Sequence, residues 1–285
     1  MPWIRYVHFI TNGQLPDWLD VSCPKLKFHT HCDIFAFKDA LPVFNSSAIE
    51  ANFSQIPDLA DKFVLFNDDM LVMGQVAEER FFRQNLPVDY IKLSFPRRGR
   101  IYEKLKPQNV LASKFINNAY KYLNDLDIKN IAKNKLYSPR YTIKTKLNNL
   151  IWSLFGKVQW FDIYHHPQPH LKKTWCDFFD KHKDDVIKDT SYAKFRSEKD
   201  INQYVYRFIN LINGDFYPAE FKDHRSIYVG DVKEFIEQYS RLADGLNFLC
   251  ICEDENITDE DFAVLKNFLV DKMEIQFANK SIFEK

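Results

Sequence analysis

Two adjacent carboxylates, Asp68 and Asp69, directly follow a short apolar run in this sequence. The run, residues 62–66, predicts a buried strand of a parallel or mixed sheet. The triplet Asn67-Asp-Asp then falls at the carboxyl end of that strand, where open α/β sheets bind ligands. Carboxylates at such an edge suit Mg²⁺, which usually also binds substrate phosphates. A polar turn that follows the strand would explain the triplet equally well. The choice between a metal site and such a turn therefore depends on other segments of the sequence.

Further polar residues follow the other predicted elements of the first fifty residues. Residues 4–10 and 27–30 predict the first two strands, and a capping signal at Asn45-Ser46 predicts a helix over 46–55. Because parallel strands end at one edge of a sheet, we expect these side chains to converge with Asp68. The candidates for substrate binding are Asn12, Gln14, His31, Asp33, Asn45 and Ser46.

The segment His165-His-Pro-Gln-Pro-His170 places three imidazoles within six residues. Histidines can ligate a metal or transfer protons near neutral pH. The two prolines predict a rigid loop before a helix over 171–181. Neither a matching cysteine spacing nor HExxH supports a zinc site in this segment, and a structural hydrogen-bonding role for each histidine stays open.

Arg196 stands just before Ser197-Glu-Lys-Asp200, which is similar to a capping box for a striped helix that follows. A guanidinium beside free helix N–H groups attracts phosphate. A surface ion pair with a neighbouring acid is the alternative.

Four motifs of the first seventy residues closely resemble the Stealth family of capsular polysaccharide phosphotransferases, which also includes an animal N-acetylglucosamine-1-phosphotransferase. Later segments agree, with a weaker stretch over about 95–160. The motifs are Thr-Asn-Gly-Gln-Leu-Pro-Asp-Trp-Leu from Thr11, His-Cys-Asp-Ile-Phe from His31, Leu-Pro-Val-Phe-Asn-Ser-Ser-Ala-Ile-Glu from Leu41 and Phe-Asn-Asp-Asp-Met from Phe66.

The resemblance implies transfer of a sugar-1-phosphate from a UDP-sugar to a hydroxyl of an acceptor glycan, with release of UMP. It implies that His166 is the general base, with His170 as a second candidate for the site. Arg196 would bind phosphate, and Asp68 and Asp69 would bind Mg²⁺, or Mn²⁺ in its place, with Asp69 also acting in catalysis. A metal-dependent glycosyltransferase that releases UDP, and a truncated non-catalytic homologue that binds glycan or a partner, are the alternatives.

Two departures from the family pattern bear on activity. A family segment with a Trp-Val-Asp-Gly-like motif is expected before Met1, so we expect a strand and part of the nucleotide-sugar pocket to be missing. Where members commonly show Cys-Ile-Asn-Asp, this chain has Cys250-Ile-Cys-Glu-Asp254. Glu253 or Asp254 would then have to replace the family's acid.

Composition narrows the class of protein. The 285 residues are 46% hydrophobic and include 26 Phe and 14 Tyr, which supports a large core. The formal net charge of zero gives no argument for a nucleic-acid partner. Neither GxGxxG nor a P-loop is present among only seven glycines. The five scattered cysteines predict a reduced, cytoplasmic setting, with Cys250 and Cys252 as core residues.

We therefore expect one α/β domain over 1–285, with a mixed or parallel central sheet flanked by helices. A strand over 90–94 and a helix over 109–126 are predicted next, followed by a mostly helical final third. A basic helical insertion lies at about 95–160, and residues 128–161 contain no acid. This stretch could bind an anionic membrane surface weakly, with Trp152 and Phe155 in the interface, or pack on the domain with its lysines in water.

Overall fold

The computed structural model describes residues 1–254 and 257–285, including all of their side chains except those of Gln108 and Glu253. Ten strands lie in this part of the chain: β1 Val7–Thr11, β2 Leu26–Thr30, β3 Lys62–Leu65, β4 Met70–Val72, β5 Phe82–Arg83, β6 Leu86–Asp89, β7 Gln168–Leu171, β8 Tyr217–Pro218, β9 His224–Val229 and β10 Phe248–Glu253. The α-helices there are α1 His31–Ile34, α2 Ser46–Glu50, α3 Arg100–Leu105, α4 Val110–Ala119, α5 Lys133–Leu136, α6 Ile143–Ser153, α7 Lys172–His182, α8 Lys188–Tyr192, α9 Tyr204–Asn213, α10 Val232–Ala243 and α11 Asp259–Gln276.

The strands pair in four small sheets, which confirms the α/β class with mixed pairing. Strands β1 and β2 are parallel, and β3 is antiparallel to β7. Strand β10 lies between β4, which is antiparallel to it, and β9, which is parallel. Strand β6 pairs with β5 and with β8. The carboxyl ends of the strands, which were expected at one edge, are therefore distributed over several sheets.

Three predicted strands or helices differ from those of the structure. In addition, the loop predicted before residue 171 contains β7 from Gln168 on, and the capping box predicted at Ser197-Glu-Lys-Asp200 does not begin α9, whose N-cap is Gln203. The strand predicted over 90–94 is wrong, because β6 ends at Asp89 and Leu93 makes only an isolated bridge to Phe161. The helix predicted over 109–126 ends at Ala119 and continues as the short 3-10 turn Tyr120–Tyr122. The tyrosine hydroxyl of Tyr120 accepts a bond from the Phe161 N–H, which fixes this turn on the core.

The third difference concerns the helix predicted over 46–55. It consists of α2 and a separate 3-10 turn, Phe53–Gln55. Between them the buried side chain of Asn52 accepts from the Ala36 N–H and donates to Ala48 and Ser191. These bonds tie the break to α8, and a buried amide needs such partners.

The main core lies between α4, α7 and α9. The rings of Trp175 on α7 and Tyr206 on α9 stack with centroids 3.7 Å apart. The Arg207 guanidinium on α9 is buried and makes two bonds, of 2.7 and 2.9 Å, to the Asp89 carboxylate at the end of β6. This pair fixes α9, and with it the loop before α9, against the sheet that contains β6.

The basic segment 128–161 packs on this core through both apolar side chains and buried amides. The Asn149 side chain on α6 is completely buried and donates to the carbonyls of Ile91 and Leu136, while accepting from the Leu93 N–H. Trp160 and Phe161 at the end of the segment are also fully buried. The interpretation that the segment packs on the domain is thus confirmed for one of its faces.

The outer face of α6 is apolar. Ile143 is 73% exposed and Leu154 is 83% exposed, and both belong to one stripe at helical spacing. The other exposed members are Leu147, Leu150 and Ile151. The usual arrangement of an amphipathic helix is therefore reversed here, with amides inside and aliphatic side chains in water.

No helix within 1–254 or 257–285 is both long and apolar enough to cross a bilayer.

Candidate active site

Strand pairing brings the predicted acidic edge next to a second polar segment. Cys250 of β10 faces Met70 of β4, and the Ile251 N–H donates to the Asp69 carbonyl over 3.2 Å. Cys250 and Cys252 are two positions apart on a strand, so both side chains lie on one face. Asp69 therefore stands directly beside two thiols.

The Asp69 carboxylate is held by three donors. Its Oδ2 accepts from His165 Nε2 at 2.8 Å, from Cys250 Sγ at 3.1 Å and from Cys252 Sγ at 3.3 Å. Burial acts to raise the pKa of Asp69, but these hydrogen bonds and the nearby His165 lower it to about 2. Asp69 is thus ionised across the physiological range, while its other oxygen, Oδ1, is buried without a hydrogen-bond partner.

A buried acid that the sequence did not single out lies near enough to His165 and Arg196 for both to influence its pKa. Glu50, at the end of α2, accepts a bond from the Gln203 N–H over 2.9 Å. Burial raises the pKa of Glu50 to about 7, although that bond and the nearby Arg196 and His165 act in the opposite direction. A carboxyl that titrates near pH 7 is suited to proton transfer.

Arg196 contacts Ser46, the first residue of α2, the helix that ends at Glu50. Its exposed guanidinium donates to Ser46 Oγ over 2.9 Å through Nη2. The Asn45 amide fixes this arrangement, because Nδ2 donates to Asp200 over 2.8 Å and Oδ1 caps α2 by accepting from the Ser47 N–H. Asn45 is fully buried, so its amide positions the Arg196 loop rather than projecting into solvent.

The three histidines of the predicted loop lie in different environments. His165 contacts Asp69, whereas His166 is buried against His224, with ring centroids 4.4 Å apart. Burial, followed by the charge of Arg80, lowers the pKa of His166 well below its usual value. His170 is completely buried, stacks on Phe63, and has its pKa lowered by burial to about 3.

The remaining predicted residues have other surroundings. Asp68 is exposed, and so are Asn12 and Gln14 in the turn after β1. At the end of β2, Asp33 is exposed and caps α1 through Thr30, and these hydrogen bonds lower its pKa. His31 is buried, which lowers its pKa. Within the described residues, no hydrogen bond joins Asp69 to Asn12, Gln14, His31 or Asp33, and their part in substrate binding stays a prediction.

The site thus combines an ionised carboxylate, a carboxyl that titrates near neutrality and an exposed arginine. Asp68 and Oδ1 of Asp69 are oxygen donors of the kind that Mg²⁺ prefers. The Glu253 side chain, expected to replace the family's acid, lies outside the described residues. Asp254, the other candidate, donates its N–H to the Val229 carbonyl.

Four functional candidates, Glu50, His165, Cys250 and Cys252, were missed or assigned another role, because the signals for them in the sequence are weak or depend on distant residues. Glu50 follows Ser46 by four residues, which places both on one helix face, and that spacing was the available signal. His165 could not be separated from its neighbour by residue type. The pairing of β4 with β10, which brings Cys250 and Cys252 to Asp69, joins residues about 180 positions apart.

Comparison with known proteins gives the same family as the motifs. Residues 1–89 match the family model described as Stealth protein CR2, conserved region 2. The whole chain is 32% identical to a capsular polysaccharide phosphotransferase WcwK of Streptococcus pneumoniae, of which it covers 82%. It is 27% identical to the exopolysaccharide phosphotransferase cps2G of Lactiplantibacillus plantarum and covers 81% of that protein. Over 99% of its length it is 28% identical to the receptor polysaccharide phosphotransferase WefC of Streptococcus gordonii, of which it covers 82%. This chain therefore belongs to the Stealth family.

Proposed function

We propose that this protein transfers a sugar-1-phosphate from a UDP-sugar to a hydroxyl of an acceptor glycan in the synthesis of a capsular or other surface polysaccharide, and releases UMP. Family membership supports the phosphotransferase activity and the polysaccharide acceptor. The observation that carries the proposal to this chain is that His165, which contacts Asp69, and Arg196, which contacts Ser46, both lie within electrostatic range of the buried Glu50.

The reaction requires an in-line displacement at phosphorus. The acceptor oxygen bonds to the phosphorus nearer the sugar, the bond from that phosphorus to the bridging oxygen breaks, and UMP leaves with the bond's electron pair. Charge neutralisation and positioning dominate such reactions. Arg196, exposed and held by Ser46, would bind the diphosphate through its planar fork.

The acceptor hydroxyl must lose its proton to a base. Glu50, with a pKa of about 7, matches the requirement that a base be partly ionised at the working pH. His166, the base implied by the family resemblance, is neutral but has a strongly lowered pKa, which makes it a weaker proton acceptor. We therefore propose Glu50 as the base, and the two assignments are compared by mutation below.

We further propose that Asp68 and Asp69 bind Mg²⁺, or Mn²⁺ in its place, together with phosphate oxygens of the donor. The exposed Asp68 carboxylate and the unpartnered Oδ1 of Asp69 support this assignment. When bound, such a cation offsets phosphate charge. His165 would keep the Asp69 carboxylate oriented toward it through the 2.8 Å bond to Oδ2.

The test of the function is product analysis. The purified chain is incubated with a panel of UDP-sugars, Mg²⁺ and an acceptor glycan, and UMP is separated from UDP. We expect UMP together with a sugar phosphodiester. UDP with a new glycoside would show a glycosyltransferase instead, and donor binding without turnover would show a non-catalytic homologue.

We also propose that the protein works at the cytoplasmic face of the membrane, which it contacts weakly through α6. The exposed aliphatic stripe of α6 is accompanied by Lys144, Lys146 and Lys157 in a stretch without acids. Phe155, 61% exposed, extends the stripe, whereas Trp152 is half-buried and stacks on it. Apolar side chains flanked by lysines suit an anionic lipid surface, at about 1 kcal/mol per basic residue.

A further inference from the structure

The side of Asp69 that faces β10 is rich in sulfur. One ligand atom each from Asp69, Cys250 and Cys252 lie within 4.8 Å of one another, and the two sulfurs are 3.8 Å apart. A tetrahedral zinc ion with Zn–S bonds of about 2.3 Å would hold two sulfurs about 3.8 Å apart. The spacing found between the two thiols is thus the spacing that such an ion requires.

The fold holds these ligands in place before any cation arrives. Cys250 and Cys252 are alternate residues of β10, and Asp69 directly precedes β4, which pairs with that strand. His165 Nε2 fixes the carboxylate by its bond to Oδ2, in the way that neighbours of metal ligands commonly do. No rearrangement of the strands is needed to bring the three ligand atoms together.

The chemistry of the ligands selects the cation. Thiolates are soft ligands that favour Zn²⁺ and similar ions, whereas Mg²⁺ is bound by oxygen. Both thiols donate their S–H to Oδ2 of Asp69, whereas the form of cysteine that binds a metal is the thiolate. Binding must therefore release protons to solvent as each S–H is replaced by a metal–sulfur bond.

We infer that Asp69, through Oδ2, and the thiolates of Cys250 and Cys252 bind a thiophilic divalent cation of the Zn²⁺ class, with its fourth position open to water. Oδ1 of Asp69 is not one of these ligands and stays available to the cation proposed above. Three protein ligands and an open fourth position are the arrangement of catalytic rather than structural zinc sites. The inference concerns metal binding by the free protein, so it does not depend on the proposed transferase activity.

The test uses Co²⁺ as a spectroscopic substitute for Zn²⁺ in the reduced 285-residue chain without substrate. We expect one equivalent of Co²⁺ to give a thiolate-to-cobalt charge-transfer band in the near ultraviolet and visible bands of tetrahedral intensity, and Zn²⁺ to displace it. Zn²⁺ binding should release protons, measured with a pH indicator in weak buffer. A cobalt spectrum of the unmodified chain without the thiolate band would by itself overturn the assignment.

Variants locate the ligands. Cys252→Ser and Cys250→Ser should each weaken Zn²⁺ binding by about 100-fold and remove most of the charge-transfer band. Cys32→Ser and Cys176→Ser, at free cysteines elsewhere in the fold, are the matched controls and should bind as the unmodified chain does. Circular dichroism checks that each variant is folded. Full affinity in both strand variants, or loss in the controls, would contradict the proposed site.

Discussion

The surroundings of Asp69 and the outer face of α6 depart from ordinary packing in opposite directions. Around Asp69, charged and polar groups are buried, including Glu50 with a pKa of about 7 and a carboxylate oxygen without a partner. On α6, aliphatic side chains such as Ile143 and Leu154 are exposed while Asn149 is buried. Each departure is costly for the isolated chain.

The difference indicates what each region binds. Buried charge is stabilised when a ligand of opposite charge or a cation enters, so the Asp69 region suits a small polar substrate. Exposed aliphatic surface is stabilised when an apolar phase covers it, so α6 suits an extended surface. The Arg207–Asp89 ion pair differs from both regions. It is buried, but the protein itself provides its hydrogen-bond partners, so we interpret it as a structural pair that needs no ligand.

The largest effect is expected from Asp69→Asn. Removing the charge deprives the site of its ionised carboxylate, and we expect kcat to fall by about 10²–10³-fold, as for other groups that stabilise transition-state charge. UMP release is the measurement. Asp177→Asn, at an exposed carboxylate on α7, is the control and should keep full activity. Undiminished turnover of Asp69→Asn at limiting Mg²⁺ would remove Asp69 from the site.

A smaller loss is expected from Arg196→Lys. An ammonium cannot reproduce the planar bidentate fork, so kcat/KM should fall by about 10–100-fold although the charge is kept. Arg241→Lys, at an exposed arginine on α10, should have no effect. Equal kcat/KM values for Arg196→Lys and the unmodified enzyme would mean that Arg196 only pairs with Ser46.

The base is identified from the pH dependence. Since Glu50 has a pKa of about 7, kcat/KM should rise with pH through neutrality, and Glu50→Gln should lower the rate and remove that rise.

The same carboxyl makes the stability of the fold depend on pH. The pKa of Glu50 in the folded protein is about 7, which is higher than the value of about 4.3 for an unfolded chain. The folded protein is therefore stabilised by this group below about pH 4.3 and loses that stability as the pH rises from there through about 7. Glu50→Gln should therefore unfold at a higher temperature than the unmodified chain at pH 8.

His166→Ala provides the competing test. The family resemblance predicts that it lowers the rate far more than it weakens donor binding. If His166→Ala removes the rise with pH and Glu50→Gln keeps it, the base is His166 and the assignment of Glu50 is wrong.

The smallest effect concerns α6. Exchanging Lys144 and Lys146 for Glu should weaken co-sedimentation with anionic liposomes at low salt by about tenfold or more, and added salt should weaken it in the unmodified chain. Leu147→Ser with Leu154→Ser should also weaken it, since less apolar area is buried in the interface. UMP release with a soluble acceptor should be unchanged in both. If liposome binding is unchanged by the two lysine exchanges and by the two leucine exchanges, α6 has no role at the membrane.

Local patterns predicted the elements that build the site. The apolar run before Asp68, the cap at Asn45 and the stripe that follows Arg196 gave β3, α2 and α9 within a few residues. These signals are local, since periodicity and capping are set within one or two turns. The boundaries failed where a distant partner decides them, as at Tyr120, which is fixed by Phe161.

The composition of the site was less predictable than its elements. Asp69 was selected from its neighbours, but its contacts with Cys250 and Cys252 depend on pairing between strands far apart in sequence. The sequence also assigned the two thiols to the core, and burial of Cys250 agrees with that, yet both sulfurs reach the carboxylate. His165 and His166 are equal by type, and only the direction of each ring distinguishes them.

The central claim, transfer of phosphate together with the sugar, is tested most directly by labelling one atom. A UDP-sugar that carries ³²P in the phosphate next to the sugar is incubated with the enzyme and the acceptor glycan, and the products are separated. Attack at that phosphorus predicts that the label moves into the polysaccharide and that the released UMP is unlabelled. Label that stays in released UDP, with unlabelled glycan, would contradict the account.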